Sequence, residues 1–427
     1  MGKSDLKTLI AETVGTGEKR PSGLTNGFDY PPWVERIQYV LQDGSVVLRK
    51  VAFSLGSARS ADVTFSGQDV IKMMAGDCVR WLAMPHVLVF GFVMDKPSFV
   101  TKAKLPEQRK RDRSSGGGGT EGTDLAQLAM EEYFTEEEPL SLSTEAPGGA
   151  WSSVLNCRET RPLFVRFIMR NLVLCLPDVV LDRGKMLLVD FENEEGEAES
   201  MRYTRDRATR IGEDAPNRIG EFDVSFLYWS RYLSANIGQA PCLVLTIDTD
   251  LLMISLLYAA QTERSDLYMY IQGKRPDTTT WVDSRALVGS LHRRVPGETE
   301  LESMRGVVNA SLLAGSDFTT GFPGIGHRTM YKALLSHGGG RSAVPSDSAL
   351  LREARQGCRG GGAKRSRGCV DWEAHLRTER ARVQFTLEYW TSHISGRGDV
   401  HVCPFEAHGD AGPGWRRHED LLIVEAE

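Results

Sequence analysis

Apolar positions recur along this chain with two different periods, and their order predicts the elements. Leu6, Leu9 and Ile10 fall on one face of a short helix over 4–13, with Ser4 placed to cap it. Residues 45–54 (SVVLRKVAFS) read as a strand, and 68–84 as a helix with Val70, Met73, Met74, Val79 and Leu82 as core positions. His86 to Met94 is a β-rich apolar run, the pattern of a buried strand. Strand, helix and strand in that order predict a parallel βαβ unit. Residues 163–191 read as β-rich with a turn at 182–184, and Glu192 to Glu199 as a solvated loop. A helix over 221–236, a buried strand over 241–247, helices over 303–315, 327–337 and 371–392, and a weak strand at 420–425 complete the pattern. The predicted fold class is α/β, with a mainly parallel central sheet flanked by helices.

Composition shifts mark the joints. Residues 102–113 hold six basic residues against two acidic ones, and SSGGGG at 114–119 reads as a flexible linker. Residues 121–145 hold eight acidic residues and no basic one, so this stretch is expected to be disordered or loosely helical. Residues 338–368 read as a Gly/Arg-rich linker. The net charge of −6 excludes a generally basic nucleic-acid coat and leaves room for a local basic patch. The seven cysteines form no Cys-x-x-Cys pair, which argues against a zinc ribbon or a disulfide scaffold and fits a reducing, intracellular compartment. The N-terminus carries no long apolar run, so neither a signal peptide nor a membrane partner is expected. Lys364-Arg365-Ser366-Arg367 offers a nuclear signal or a phosphate-contacting tail.

Two segments carry candidate chemistry. In LVLTIDTD (243–250) an apolar strand ends in Asp248-Thr249-Asp250. Ligands of open α/β sheets sit at the carboxyl ends of strands, and carboxylates there suit a hard divalent cation. The plainer reading is a pair of aspartates capping the next helix. In ASLLAGSDFTTGFPGIGHRTM (310–330) an apolar helix delivers Asp317, and a Gly-Phe-Pro-Gly-Ile-Gly turn leads into a helix beginning near His327. Gly324 and Gly326 admit a phosphate to the backbone, and the helix N-terminus offers it N–H groups. The plainer reading is an ordinary turn between two helices.

These motifs resemble the flap-endonuclease/XPG family of metal-dependent 5′ nucleases. The family's Asp-x-Asp corresponds to Asp248 and Asp250, and its Leu-Leu-x-Gly-x-Asp element to Leu312 through Asp317. Its Gly-Ile-Gly hairpin corresponds to Gly324-Ile325-Gly326, and its Glu-x-Glu to Glu221-Phe222-Asp223. Its Asp-Gly-Lys-Pro-Pro turn has Asp95-Lys96-Pro97 as nearest match, and counting onward places Lys102 and Arg109 where the family contacts the scissile phosphate. Arg49 to Phe53 resembles the family's first strand, which should end in a metal-binding aspartate; Ser54 stands there, with Asp62 the only nearby carboxylate.

The resemblance implies a PIN-like 5′-nuclease fold with a helix-hairpin-helix element that binds DNA through Gly321, Gly324, Ile325, Gly326, His327 and Arg328. The nuclease domain would be split between 1–113 and 211–337. An acidic disordered insert (114–160), a β-rich insertion (161–210), a linker (338–370) and a C-terminal extension (371–427) would make up the rest. Two Mg²⁺ or Mn²⁺ ions would be held by Asp95, Glu221, Asp223, Asp248, Asp250 and Asp317, and Lys102 and Arg109 would stabilise charge on the phosphate. The implied substrate is DNA with a flap, junction or 5′ end, with RNA left open, in a nuclear DNA-repair setting. The alternative, motivated by Ser54, is a nuclease-like protein that binds branched nucleic acid or a partner without cutting. Residues 384–390 (QFTLEYW) resemble the family's sliding-clamp motif but read better as a buried amphipathic helix.

Overall fold

The computed structural model describes residues 23–26, 30–57, 63–96, 121–135, 140–157, 159–182, 184–193, 195–211, 220–262, 266–272, 279–316, 319, 321–322, 325–338, 342–358, 372–395, 400–403 and 422–425. The expectations for 4–13, 102–113, 114–119 and 364–367 lie outside the described residues. The chain divides into an N-proximal unit, Trp33–Val100 with Gln108–Leu245, and a C-proximal unit, Met1–Pro32, Thr101–Glu107 and Thr246–Glu427.

In chain order the elements begin with β1 (Leu24–Asn26), β2 (Tyr39–Asp43), α1 (Gly44–Gly56), β3 (Thr64–Ser66), α2 (Gly67–Leu82) and β4 (Val89–Val93). There follow α3 (Glu121–Tyr133), β5 (Glu145–Pro147), α4 (Gly148–Asn156), α5 (Arg161–Asn171), β6 (Met186–Glu192), β7 (Ala198–Tyr203), β8 (Ala208–Arg210), α6 (Phe222–Asn236) and β9 (Cys242–Thr246). The remainder comprises α7 (Asp250–Thr262), β10 (Leu267–Ile271), β11 (Thr280–Asp283), α8 (Ser284–His292), α9 (Glu300–Ala314), α10 (His327–Ser336), α11 (Asp347–Cys358), α12 (Trp372–Ile394), β12 (Val400–Cys403) and β13 (Leu422–Glu425).

In the N-proximal unit the sheet runs β9-β2-β4-β6-β7-β8. The unit is α/β as expected, with a mixed sheet in which β9, β2, β4 and β6 run parallel and β7 and β8 antiparallel. Register aligns Asp43, Val93 and Asp190 across the carboxyl ends of β2, β4 and β6. Helices α2 and α6 pack on β4, and α5 packs on β6.

The expected strand at 45–54 is instead helix α1. Asp43 caps it by accepting the Val46 N–H at 3.2 Å, and Val47, Val51 and Leu55 are buried at helical spacing. That cap and that spacing override the β-propensity of Val46, Val47 and Val51. The true strand is Tyr39–Asp43, whose five residues are all buried despite ending in Gln and Asp. The predicted helix at 68–84 stands, with Ser66 and Asp69 forming a capping box; Met73 is exposed and Val79 only half-buried. Lys185, just before β6, donates from Nζ to the carbonyl oxygens of Leu82 and Met84 and so closes the end of α2.

Two further corrections concern 121–171. The acidic stretch is ordered from Glu121 to Phe134: Ala126, Ala129 and Phe134 are buried, and α3 packs on α4. Asp124, Glu131 and Glu132 are exposed, so of the two expectations for this stretch the helix holds and the disorder does not. Residues 161–171 form helix α5, with Pro162 in its first turn and Phe164 and Ile168 buried one turn apart. From 186 onward the β-rich expectation holds, and β6 extends the sheet beside β4.

In the C-proximal unit β1, β11 and β10 form an antiparallel ribbon. Helix α7 is buried on all sides from Asp250 to Ala260, against α8, α9 and α12. Helix α9 packs on α10, which packs on α11, so residues 347–358 of the expected linker are helical. In α12, Phe385, Tyr389 and Trp390 are buried, which removes the aromatics a sliding clamp would seize. No described helix is long and apolar enough to cross a membrane.

One buried polar cluster ties the N-proximal elements together. Lys96 Nζ lies 2.6 Å from Asp190 Oδ2, and both side chains are fully buried. Asp190 also accepts the Ser200 hydroxyl at 2.9 Å and the Trp229 indole N–H at 3.0 Å. Burial pushes the Asp190 carboxyl up, and Lys96 opposes that rise. Lys96→Met should cost about 3–5 kcal/mol in urea unfolding, because it strands a buried carboxylate, while Lys96→Met with Asp190→Asn should recover most of the loss. Equal stability of the single variant and the native chain would show the pair to be dispensable.

Candidate active site

The carboxyl edge of the parallel strands gathers acidic side chains from three separate segments. Asp43 ends β2, Asp95 follows β4 by two residues, and Asp223 lies in the first turn of α6. Their positions are fixed by backbone ties. Asp95 Oδ1 accepts the Phe222 N–H at 3.1 Å, and the Lys96 N–H donates to the Gly220 carbonyl at 2.6 Å, which anchors the start of α6 to the turn after β4. The Asp95 N–H donates to Ser45 Oγ at 3.2 Å, which anchors that turn to α1. Gly44 permits this closeness: a Cβ there would stand 2.3 Å from Met94 Sδ.

The electrostatic consequence falls on Asp43. Its carboxyl is held well above the usual aspartate range, first by burial, then by repulsion from Asp95 and from Asp223. The Val46 N–H and the Arg49 guanidinium oppose the rise. Glu221, the residue before α6, is also buried. The donors are hard oxygens, which fit Mg²⁺ or Mn²⁺ in chemistry. Among the described residues no group of three or more His, Cys, Asp or Glu side chains is already spaced to hold a metal ion.

Sequence reasoning missed Asp43. It placed the strand-end residue at Ser54, which is an exposed position on α1. The available signal was the short apolar run Tyr39-Val40-Leu41 closing on Gln-Asp-Gly, a strand-then-aspartate pattern like that at 243–248.

Of the other expected site residues, Asp248 and Asp250 belong to the C-proximal unit. The Asp248 N–H donates to Thr246 Oγ1 at 2.9 Å, and Asp248 Oδ1 accepts the Asp250 N–H at 2.8 Å. Asp248 thus does serve the start of α7, as the plainer reading has it, and Asp250 is buried in the first turn. Asp317, Gly324, Lys102 and Arg109 lie outside the described residues.

The turn into α10 is built tightly. Gly321 has φ +67°, and a Cβ would stand 2.5 Å from the Ala314 carbonyl oxygen; its N–H donates to the buried Glu379 at 3.2 Å. The Ile325 N–H donates to the Phe322 carbonyl at 3.0 Å, with both side chains buried. Gly326 caps α10 with extended backbone and open space around its Cα, and no side chain caps the helix. Arg328 is exposed and His327 half-buried on the first turn.

No protein-family model and no characterised protein matches the sequence.

A carboxyl whose folded pKa is raised lends stability below its unfolded value, about 3.9, and loses it as pH rises through the folded value. For Asp43 that loss is incurred on the way to neutral pH. Asp43→Asn keeps the helix cap and removes the repulsion. It should raise the melting temperature of the protein in EDTA at neutral pH by roughly 2–4 °C per kcal/mol relieved. A lower melting temperature would show that the aspartate contributes net stability there.

Proposed function

We propose that this chain is a metal-dependent 5′ nuclease of the flap-endonuclease type, built on a PIN-like fold, that hydrolyses phosphodiester bonds in branched or 5′-ended DNA. The observation that carries the reading is the convergence of Asp43, Asp95 and Asp223 on the carboxyl edge of the N-proximal strands, with Asp43 driven towards its protonated form. Structural aspartates are rarely packed where they repel one another; such an arrangement suits a site that awaits a dication. The motif resemblance over 217–337 supplies the rest. Asp43 takes the place that the resemblance reserves for a strand-end aspartate, so Ser54 no longer argues for a protein that only binds.

On this reading Asp43, Asp95, Glu221 and Asp223 would hold Mg²⁺ or Mn²⁺. Bound as a pair, the ions supply stabilisation of charge on the attacking and departing oxygens. Asp43, whose carboxyl pKa is held up by burial and by its acidic neighbours, would ionise to act as a ligand. Asp95 holds the start of α6 through the Phe222 N–H, which keeps Asp223 in place. Lys102 and Arg109 are assigned by resemblance to the phosphate undergoing attack. The N-terminus of α10, with Gly326 at its cap, would hold the duplex backbone as a helix-hairpin-helix element does.

The test is a labelled 5′-flap substrate with and without Mg²⁺ or Mn²⁺. The native chain should cut with metal, and Asp43→Asn and Asp95→Asn should each lower the rate by about 100-fold or more, roughly 2.7 kcal/mol of lost stabilisation. A native chain that binds the flap and cuts with neither metal would reduce the proposal to binding alone. Gly326→Asp, at a position where a side chain meets nothing, should weaken duplex binding about tenfold and to a similar extent for all sequences. Unchanged affinity would remove this turn from the DNA-binding surface.

A further inference from the structure

A second feature of the N-proximal unit lies along α1, beyond the acidic residues. Arg49, Phe53 and Gly56 recur at helical spacing on one face of α1, and Ser152 and Asn156 recur on α4. Together with Ser57 they line a cavity of about 470 Å³. Gly56 lets the two helices meet: a Cβ there would stand 2.7 Å from Ser152 Oγ. Above that contact Phe53 is 76% exposed, the most exposed large apolar side chain among the described residues. A single exposed phenylalanine is unremarkable. Here it flanks a cavity that also offers an exposed guanidinium, two hydroxyls and a carboxamide.

The surroundings are cationic on one side. Arg161 donates from Nε to the Leu155 carbonyl at 2.9 Å and from Nη2 to the Asn156 carbonyl at 2.6 Å, at the end of α4. Its pKa is lowered first by burial and then by the like charge of Arg49. An anion near Arg49 would relieve the repulsion.

We propose that this cavity seats one unpaired nucleotide of the strand being cut, its base stacked on Phe53 and its phosphate on Arg49, with Ser57, Ser152 and Asn156 facing the sugar and base edge. A flat aromatic face next to a cation, with small polar groups around, is the chemistry that holds single-stranded nucleic acid without reading its sequence. The proposal rests on the nuclease reading and adds a position to it. Phe53 lies ten residues along α1 from Asp43, about 15 Å at helical rise. At about 3.4 Å per stacked nucleotide, the seated base is roughly four nucleotides from the phosphate at the acidic edge.

The probe is a short, labelled single-stranded oligothymidylate, bound in EDTA and followed by fluorescence anisotropy, with the full native chain, Phe53→Ala, Phe53→Trp and Arg49→Ala. Phe53→Ala should weaken binding about 5- to 100-fold, the range of one lost base–aromatic stack, and Phe53→Trp should restore it. Arg49→Ala should weaken binding and lower the salt dependence by about one phosphate contact. The changed side chains are exposed, and thermal melting checks that each variant is folded. Native-like affinity in both alanine variants overturns the proposal, whatever the flap assay shows. If the native chain fails to cut flaps but Phe53→Ala still loses affinity that Phe53→Trp restores, the nucleotide seat stands and the nuclease reading falls.

Discussion

A fully buried lysine–aspartate pair holds the elements of the N-proximal unit together. Lys96 follows β4, Asp190 lies on β6, and the Asp190 carboxylate also takes the Trp229 indole of α6 and the Ser200 hydroxyl of β7. Two charges removed from water are costly unless each is closely matched, so the cluster tolerates little displacement of any of its four elements. That rigidity is inherited by the neighbouring residue, Asp95, and through the Asp95–Phe222 hydrogen bond by the first turn of α6. The acidic edge is therefore positioned by an ion pair that has no direct part in its chemistry.

The same edge shows a second, opposite use of charge. Around Lys96 the charges are matched and buried; around Asp43 like charges are brought together and the carboxyl is forced upward. A matched pair fixes structure, whereas a repelling set stores unfavourable energy that a dication can release. The cavity between α1 and α4 continues the division: acids at the N-terminal end of α1, Arg49 and Arg161 further along.

Much of this was legible in the sequence, and the failures have physical causes. The helix at 68–84, the strand around Val89 to Val93, the helix after Glu221 and the strand at 242–246 follow from apolar spacing and length, which strong burial enforces. The strand at 39–43 was lost because it is short and ends in Gln-Asp, and α1 was mistaken for a strand because its valines carry β-propensity. Both errors moved the expected strand-end residue from Asp43 to Ser54, which lies exposed on α1. At 121–134 charge suggested disorder as one outcome, but the helix that forms keeps Asp124, Glu131 and Glu132 outward and Ala126 and Ala129 inward. Asp95 and Asp223, expected from motif, do lie at the turn after β4 and in the first turn of α6, positions that an α/β sheet places at its carboxyl edge.

The central claim is that the acidic edge holds a divalent cation and that Asp43 loses a proton when it does. Calorimetric titration of Mn²⁺ into the native chain near neutral pH, repeated in buffers of different ionisation enthalpy, counts the protons released on binding. The account predicts saturable binding with proton release that disappears in Asp43→Asn, and affinity that rises with pH as Asp43 ionises. Binding that releases no proton and is unaffected by Asp43→Asn, or no binding at all, would contradict it.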